Sequence, residues 1–304
     1  MIDILGKRYW LFALSLLVII PGLLILAFGG MPLSIDFTGG SLLEIQFSST
    51  SPAPAEILAV YESLNISGAT VQTTENNAVI IRSSFLDDAT RETVLNGLQA
   101  AFGETELLRY DSVGPAIGQQ VTQRAAFAVG VAALAVIVYI VFTFRGIQHA
   151  ERYGLMAILA MIHDVAVVFS MAGIGSLLLG WEMDALFLTA LLTVIGFSVQ
   201  DKIVVFDRIR ENATILRRLP YETLVNHSIV QTLQRSINTQ LMTVEFLLLA
   251  LALFGGVTLQ EFSVILLVGL LSGTYSSIFI AAPLLVVWET GEWKTWFGRK
   301  PSIA

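Results

Sequence analysis

Asp201 interrupts an apolar run, 185–206, that leads directly into Asp207-Arg208-Ile209-Arg210-Glu211-Asn212. A carboxylate at the centre of a membrane helix costs about 2.5–3.5 kcal/mol on insertion scales, so a chain that keeps one uses it to carry a proton, bind an ion or hold a neighbouring helix. Helical spacing puts Ser198, Asp201 and Val205 on one face, with Arg208 a turn further on, which gives the acid polar company towards the helix end. Lys202 lies off that stripe. It can snorkel to the interface or pair with an acid on another helix, for which Glu245, a second charge in an apolar segment, is the candidate. His163 and Asp164 stand about 13 Å along their own apolar run from Leu155, close to mid-bilayer. That position suits either a step in a proton route or a hydrogen-bonded tie between helices.

Other chemistry is excluded by what is missing. Three histidines and no cysteine give no metal-ligand cluster, and there is no phosphate-binding Gly-x-x-x-x-Gly-Lys-Ser/Thr loop, so no metal and no cofactor is expected and the chain does not read as an enzyme. Gly269, Gly273 and Ser277 recur every four residues, a spacing that lets helices approach closely and marks a helix-packing face. Gly39-Gly40 permit a sharp bend beside the membrane, because no helix start follows them directly to bind an anion.

The elements that must hold these residues are mostly membrane spans. With 55% hydrophobic and 13% charged residues, a soluble domain would expose large apolar patches. Runs of about 20 apolar residues or more occur at 9–28, 125–144, 155–179, 185–206 and 262–288, and a shorter sixth, 241–254, spans only if its helix continues upstream through Ile237 and is otherwise re-entrant. The expected fold class is therefore a polytopic α-helical membrane protein of six transmembrane helices with one ferredoxin-like α+β extracytoplasmic domain between helices 1 and 2. Lys7, Arg8, Arg145, Arg152, Arg208, Arg210, Arg217, Arg218, Arg235, Lys294, Arg299 and Lys300 fall on one side of this arrangement, while loops 180–184 and 255–261 carry no Lys or Arg, which places both termini in the cytoplasm. The first span reads as an uncleaved anchor. The expected division is residues 1–29, the N-terminus and first helix; 30–122, the outer domain; 123–289, helices 2–6 with a cytoplasmic loop at 207–236; and 290–304, a cytoplasmic tail.

Between the first two spans, 30–121 hold eleven acidic residues against three arginines, which suits a soluble outer face rather than capture of a basic ligand. Without cysteine that domain relies on its own core. Its pattern predicts a strand over 34–47 interrupted at Gly39-Gly40, a helix over 54–64, a hairpin of 69–73 and 78–83, a helix capped by Asp87 and running to Phe102, and a strand over 106–113. The order β-α-β-β-α-β is that of a split βαβ domain, which by itself says nothing about chemistry.

Four segments together carry a family resemblance: Ile35-Asp36-Phe37-Thr38-Gly39-Gly40, Val113-Gly114-Pro115-Ala116-Ile117-Gly118, His163-Asp164-Val165, and the run from Ile195 through Gln200-Asp201-Lys202 to Asn212. In this order, with a single outer domain in the matching loop, the chain resembles SecF, the smaller membrane subunit family of the SecD–SecF protein-export complex in the resistance-nodulation-division superfamily. The resemblance implies a Sec translocase accessory subunit that works with SecD and uses the proton-motive force in late steps of export. It implies a bacterial-type cytoplasmic membrane, with SecD, the SecYEG channel, a YidC-type insertase, the translocating unfolded polypeptide and membrane lipid as partners and no nucleic acid. The proton is the implied coupling ion, with Asp201 as carrier, Arg235 as its switching partner, and His163 and Asp164 beside the route. A static Asp201–Arg235 pair between helices is the alternative. Asp36, Phe37, Gly39, Gly40, Gly114 and Pro115 fall on the motifs that join the outer domain to the membrane, where backbone change during domain movement would be absorbed. Lys202 departs from the family pattern, which has a small polar residue there. A stand-alone small-molecule exporter would need a longer chain with both six-span halves, and a passive assembly scaffold would not need Asp201.

Overall fold

The computed structural model describes residues 3–48, 51–73, 77–145, 149–240 and 246–294. The chain divides into two units, Leu33–Phe127 and the remaining residues.

The larger unit is helical. Five helices among the described residues are long and apolar enough to cross a membrane: Leu5–Gly29, Pro115–Phe144, Ala150–Leu179, Ala185–Ile215 and Leu259–Thr290. The first contains α1 (Arg8–Gly29) and the next three are α5 (Pro115–Phe144), α6 (Ala150–Leu179) and α7 (Ala185–Ile215), with α5 crossing the division between the units. The last combines α10 (Gly256–Ser276), a π-helical turn over Ser277–Ala281, and α11 (Ala282–Thr290). The polar helix α8 (Tyr221–Gln240) precedes α9 (Phe246–Phe254). The described part of the expected 241–254 span is thus nine residues, less than half the roughly 20 that cross a bilayer, and its first five residues, Glu245 included, lie outside the described residues.

α6 forms the centre of this unit and packs on α1, α7 and α10. Small residues set the α1–α6 approach: a Cβ on Gly22 would overlap Ser170, one on Gly173 would sit 2.6 Å from the Gly22 carbonyl oxygen, and Ser170 Oγ donates to the Val18 carbonyl at 2.7 Å. At one end, Arg8 forks between Glu222 of α8 (2.6 Å) and Glu292 beyond α11 (2.7 Å), while Asn226 Oδ1 accepts from the Ile4 backbone N–H at 2.9 Å. Burial works against the Glu292 charge, but hydrogen bonds from Arg8, Tyr9 and Thr290 outweigh it and hold the carboxyl below the usual glutamate range.

The smaller unit contains α2 (Ile35–Thr38), β1 (Gly40–Phe47), α3 (Pro54–Ser63), β2 (Thr70–Thr73), β3 (Ala78–Ser83), α4 (Asp88–Phe102) and β4 (Thr105–Val113). The sheet is antiparallel throughout, in the order β2-β3-β1-β4, with a register shift at Glu44/Ile45. Alternate residues of its strands, Leu43, Ile45, Phe47, Val79 and Ile81, meet Ile57 and Tyr61 of α3 and Val94 and Leu98 of α4 in one core. The Tyr61 hydroxyl is buried there without a hydrogen-bond partner among the described residues, and burial pushes its pKa up. Asp87 caps α4, accepting from the Thr90 N–H at 2.9 Å.

One sequence expectation is corrected here. Residues 34–38 are not the start of a strand: Ser34 Oγ accepts from the Asp36 N–H at 3.2 Å and caps the single turn α2, so β1 begins only at Gly40. Gly39 (φ 73°, ψ 164°) makes the bend between them in a conformation open essentially to glycine alone. It lies against the start of α5: a Cβ on Gly39 would meet the Pro115 Cα at 2.9 Å, and one on Gly118 would meet the Gly39 nitrogen at 2.6 Å. Thr122 Oγ1 donates to the Phe37 carbonyl at 2.8 Å, while Gly114 has open space around it. The four connecting residues Phe37, Gly39, Pro115 and Gly118 are therefore packed together, a closer arrangement than two independent bends.

Candidate functional site

Three charged side chains are buried among the described residues: Asp164, Asp201 and Lys202. Asp164 stands on α6, the other two on α7, and the α6–α7–α10 junction brings Asp164 and Lys202 into contact. Lys202 Nζ donates to Asp164 Oδ2 at 2.7 Å, with both side chains fully buried. Sequence spacing left Lys202 off the Asp201 face, and the turn between them gives it a different neighbour: it reaches back one turn along α7, donating at 2.7 Å to both the hydroxyl and the carbonyl oxygen of Ser198.

The carboxylate of Asp164 is saturated with donors. Oδ2 also accepts from Ser198 Oγ and Ser276 Oγ, each at 2.7 Å, and Oδ1 accepts from Ser272 Oγ at 2.7 Å. His163 Nδ1 lies 3.1 Å from Oδ1. An ionised carboxylate only accepts, so Nδ1 is the nitrogen that carries a hydrogen in this contact. Nε2 is buried with no hydrogen-bond partner among the described residues, and the ring stacks on Tyr275 with centroids 6.2 Å apart. His163, Ser272 and Tyr275 border a cavity of about 260 Å³ whose other walls include Leu14, Val18 and Leu271.

The sequence-predicted residues thus separate into groups. His163 and Asp164 lie in the cluster, and Ser198 joins them. Asp201 is 5% exposed on α7, adjacent to Lys202. Arg235 is exposed on α8 and is not brought into the cluster, and Arg208 pairs instead with Glu211 at 2.6 Å. Gly269 and Gly273 do pack helices, within this chain: a Cβ on Gly269 would overlap Val194 and crowd Val168, and one on Gly273 would touch the Ser198 Cα at 3.4 Å. Ser277 is buried at the start of the π turn and donates to the Thr274 carbonyl at 2.8 Å. Ser272 and Ser276, which share that small-residue stretch, are ligands of the carboxylate rather than spacers. A hydroxyl pair four residues apart, next to a Gly-x-x-x-Gly step, was the available signal.

Helices long and apolar enough to cross a membrane, with a buried ion pair and a further acid held among them, define a multi-pass membrane protein. Residues 93–291 match the family described as "Protein export membrane protein SecD/SecF, C-terminal", and residues 24–51 match the "SecD/SecF GG Motif". The chain belongs to the SecD/SecF family. It is 64% identical to the protein translocase subunit SecF of Anaerolinea thermophila, with all of both chains covered, and 46% identical to that of Thermobaculum terrenum over 98% of each. Among solved structures, SecDF of Thermus thermophilus, described as a translocon-associated membrane protein, superposes with a TM-score of 0.80 at 34% identity. That match covers 95% of this chain and 39% of the longer one.

Proposed function

We propose that this chain is a SecF-type accessory subunit of the Sec translocase that works beside SecD, without enzymatic activity, and draws on the proton gradient during polypeptide export. Its relatives are translocase subunits by name, and its structural relative is a SecDF chain of which it covers the last-named share, which favours a SecD partner. In this reading the smaller unit is a ferredoxin-like domain outside a bacterial cytoplasmic membrane, six helices span the bilayer and both termini are cytoplasmic. SecYEG, a YidC-type insertase and the emerging polypeptide are its other contacts. The β2-β3-β1-β4 order and the arginine and lysine distribution support that arrangement.

The observation that carries the coupling step is a charge count. Among the described residues, two buried carboxylates, Asp164 and Asp201, stand beside one buried ammonium, Lys202, and the ammonium is engaged by Asp164. With a full set of donors, Asp164 is held as the anion. Asp201 is then the acid that takes up and releases a proton, because a second buried negative charge beside one cation is costly in low dielectric. His163 links the cavity to the Asp164 cluster, and Arg235 is the exposed cation that would approach Asp201 if the helices rearrange.

The test is gradient-dependent release of a secreted substrate from membranes carrying Asp201→Asn. A stably inserted variant should fall to near the level of a strain lacking the chain. Wild-type release would sink the coupling role and leave an assembly scaffold as the better account.

A further inference from the structure

The Lys202 nitrogen occupies a position that an oxygen-coordinated metal ion could fill. Three oxygens surround Nζ at 2.7 Å: Asp164 Oδ2, Ser198 Oγ and the Ser198 carbonyl. Ser276 Oγ binds the same carboxylate oxygen, so a second hydroxyl stands at the edge of the group. A carboxylate, hydroxyls and a backbone carbonyl are hard oxygen donors, the kind that hold unhydrated cations of the alkali and alkaline-earth groups. The donors come from α6, α7 and α10, and the cation comes from α7 itself, one turn beyond Ser198.

We propose that the α6–α7–α10 junction is an intramembrane cation site filled by the chain's own ammonium, and that Lys202 thereby excludes free monovalent cations from it. One positive charge beside Asp164 is what a buried carboxylate demands. A tethered ammonium meets that demand without exchange with solution, so the site is occupied whatever the salt. The class is monovalent because the position now holds a single charge against one contacting carboxylate, whereas divalent sites gather more anionic oxygens. The inference deepens the coupling reading by naming which ion the site turns away, but the test below reads binding and not export, so either can fail without the other.

The full chain is purified in detergent, and its thermal unfolding is followed by tryptophan fluorescence in sodium chloride, ammonium chloride or choline chloride at equal ionic strength. The wild type should melt at one temperature in all three. Lys202→Ala and Lys202→Thr should each melt higher in sodium and in ammonium than in choline. The rise should grow with the logarithm of the cation concentration and reach roughly 3–6 °C once the cation is about ten times its dissociation constant. Adding Asp164→Asn to either variant should abolish the difference. Folded Lys202 variants that melt alike in all three salts overturn the proposal, as does a wild type whose sodium stabilisation disappears with Asp164→Asn. Variants that fold in none of the salts overturn it equally, since a cation site freed of its tether must accept a cation from solution.

Discussion

Replacing Asp164 by asparagine removes one charge and almost no volume, so the loss it causes separates the ion pair from the hydroxyl shell around it. The Asp164→Asn variant takes the carboxylate contact away from the fully buried Lys202 ammonium and leaves Ser198 and an amide oxygen in its place. Breaking a buried pair in this way costs about 3–5 kcal/mol, because the remaining charge loses the partner it touches. The hydroxyl bonds are a smaller matter: side-chain hydrogen bonds between membrane helices average about 0.6 kcal/mol. Ser272→Ala and Ser276→Ala, which each remove one such bond, should therefore cost about 1 kcal/mol or less, a gap wide enough to measure. The double variant Asp164→Asn/Lys202→Met removes both charges and should recover more than half of the single variant's loss. Equilibrium unfolding of the full chain in mixed micelles, with the single Lys202→Met variant included, gives all five values. An Asp164→Asn variant within about 1 kcal/mol of wild type, or a double variant whose loss is the sum of the singles, would refute the view that Asp164 is ionised and paired.

Three further outcomes follow from features elsewhere in the molecule. Gly39→Ala forces a Cβ to within 2.9 Å of the Pro115 Cα at a backbone conformation that costs about 1–3 kcal/mol for other residues, whereas Gly114→Ala, in open space, should stay within about 0.5 kcal/mol; thermal unfolding of the full chain distinguishes them. Tyr61→Phe removes a buried hydroxyl that lacks a partner among the described residues, so hydrogen-exchange protection of the smaller unit should hold or rise, and a clear loss of protection would reveal a bond to that oxygen. Glu292 has a depressed pKa when folded, so its stabilising contribution is complete above the ordinary glutamate value of about 4.3 and declines as pH falls towards the folded value; Glu292→Gln should flatten that part of a melting-temperature profile taken between neutral and acid pH.

Local chemistry made much of the smaller unit legible. Asp87 announced a helix because its side chain satisfies an exposed N–H within three residues, and β1 and β3 showed the two-residue alternation that a half-buried sheet requires. Ser34 misled for the same reason: its hydroxyl caps α2, a local bond that alternation alone does not disclose. In the membrane unit hydropathy marks where a helix crosses lipid, not where it stops. α7 continues past Phe206 to Ile215, held in part by Asn212 donating to Ser228 Oγ (2.8 Å) and Gln231 Oε1 (2.9 Å) of α8. The site was half readable. Single charges in apolar runs stand out, so Asp164, Asp201 and Lys202 were all visible, but which acid meets which base depends on how three helices rotate against one another. Ser272 and Ser276 were hidden behind the packing role that glycine-rich helix faces usually have.

The π turn at Ser277–Ala281 governs how those rotations combine. An α-helix advances about 100° per residue, so one additional residue in a turn throws everything beyond it out of phase by that angle. Upstream, Ser272 and Ser276 point their hydroxyls at Asp164; downstream, Leu285 and Val286 of α11 lie in the apolar core. The extra residue works as a coupling between two gears, letting the ligand-bearing half and the core-filling half of one continuous rod each face its own neighbours. The rod therefore carries, directly after Ser276, the step that lets its two halves face different neighbours.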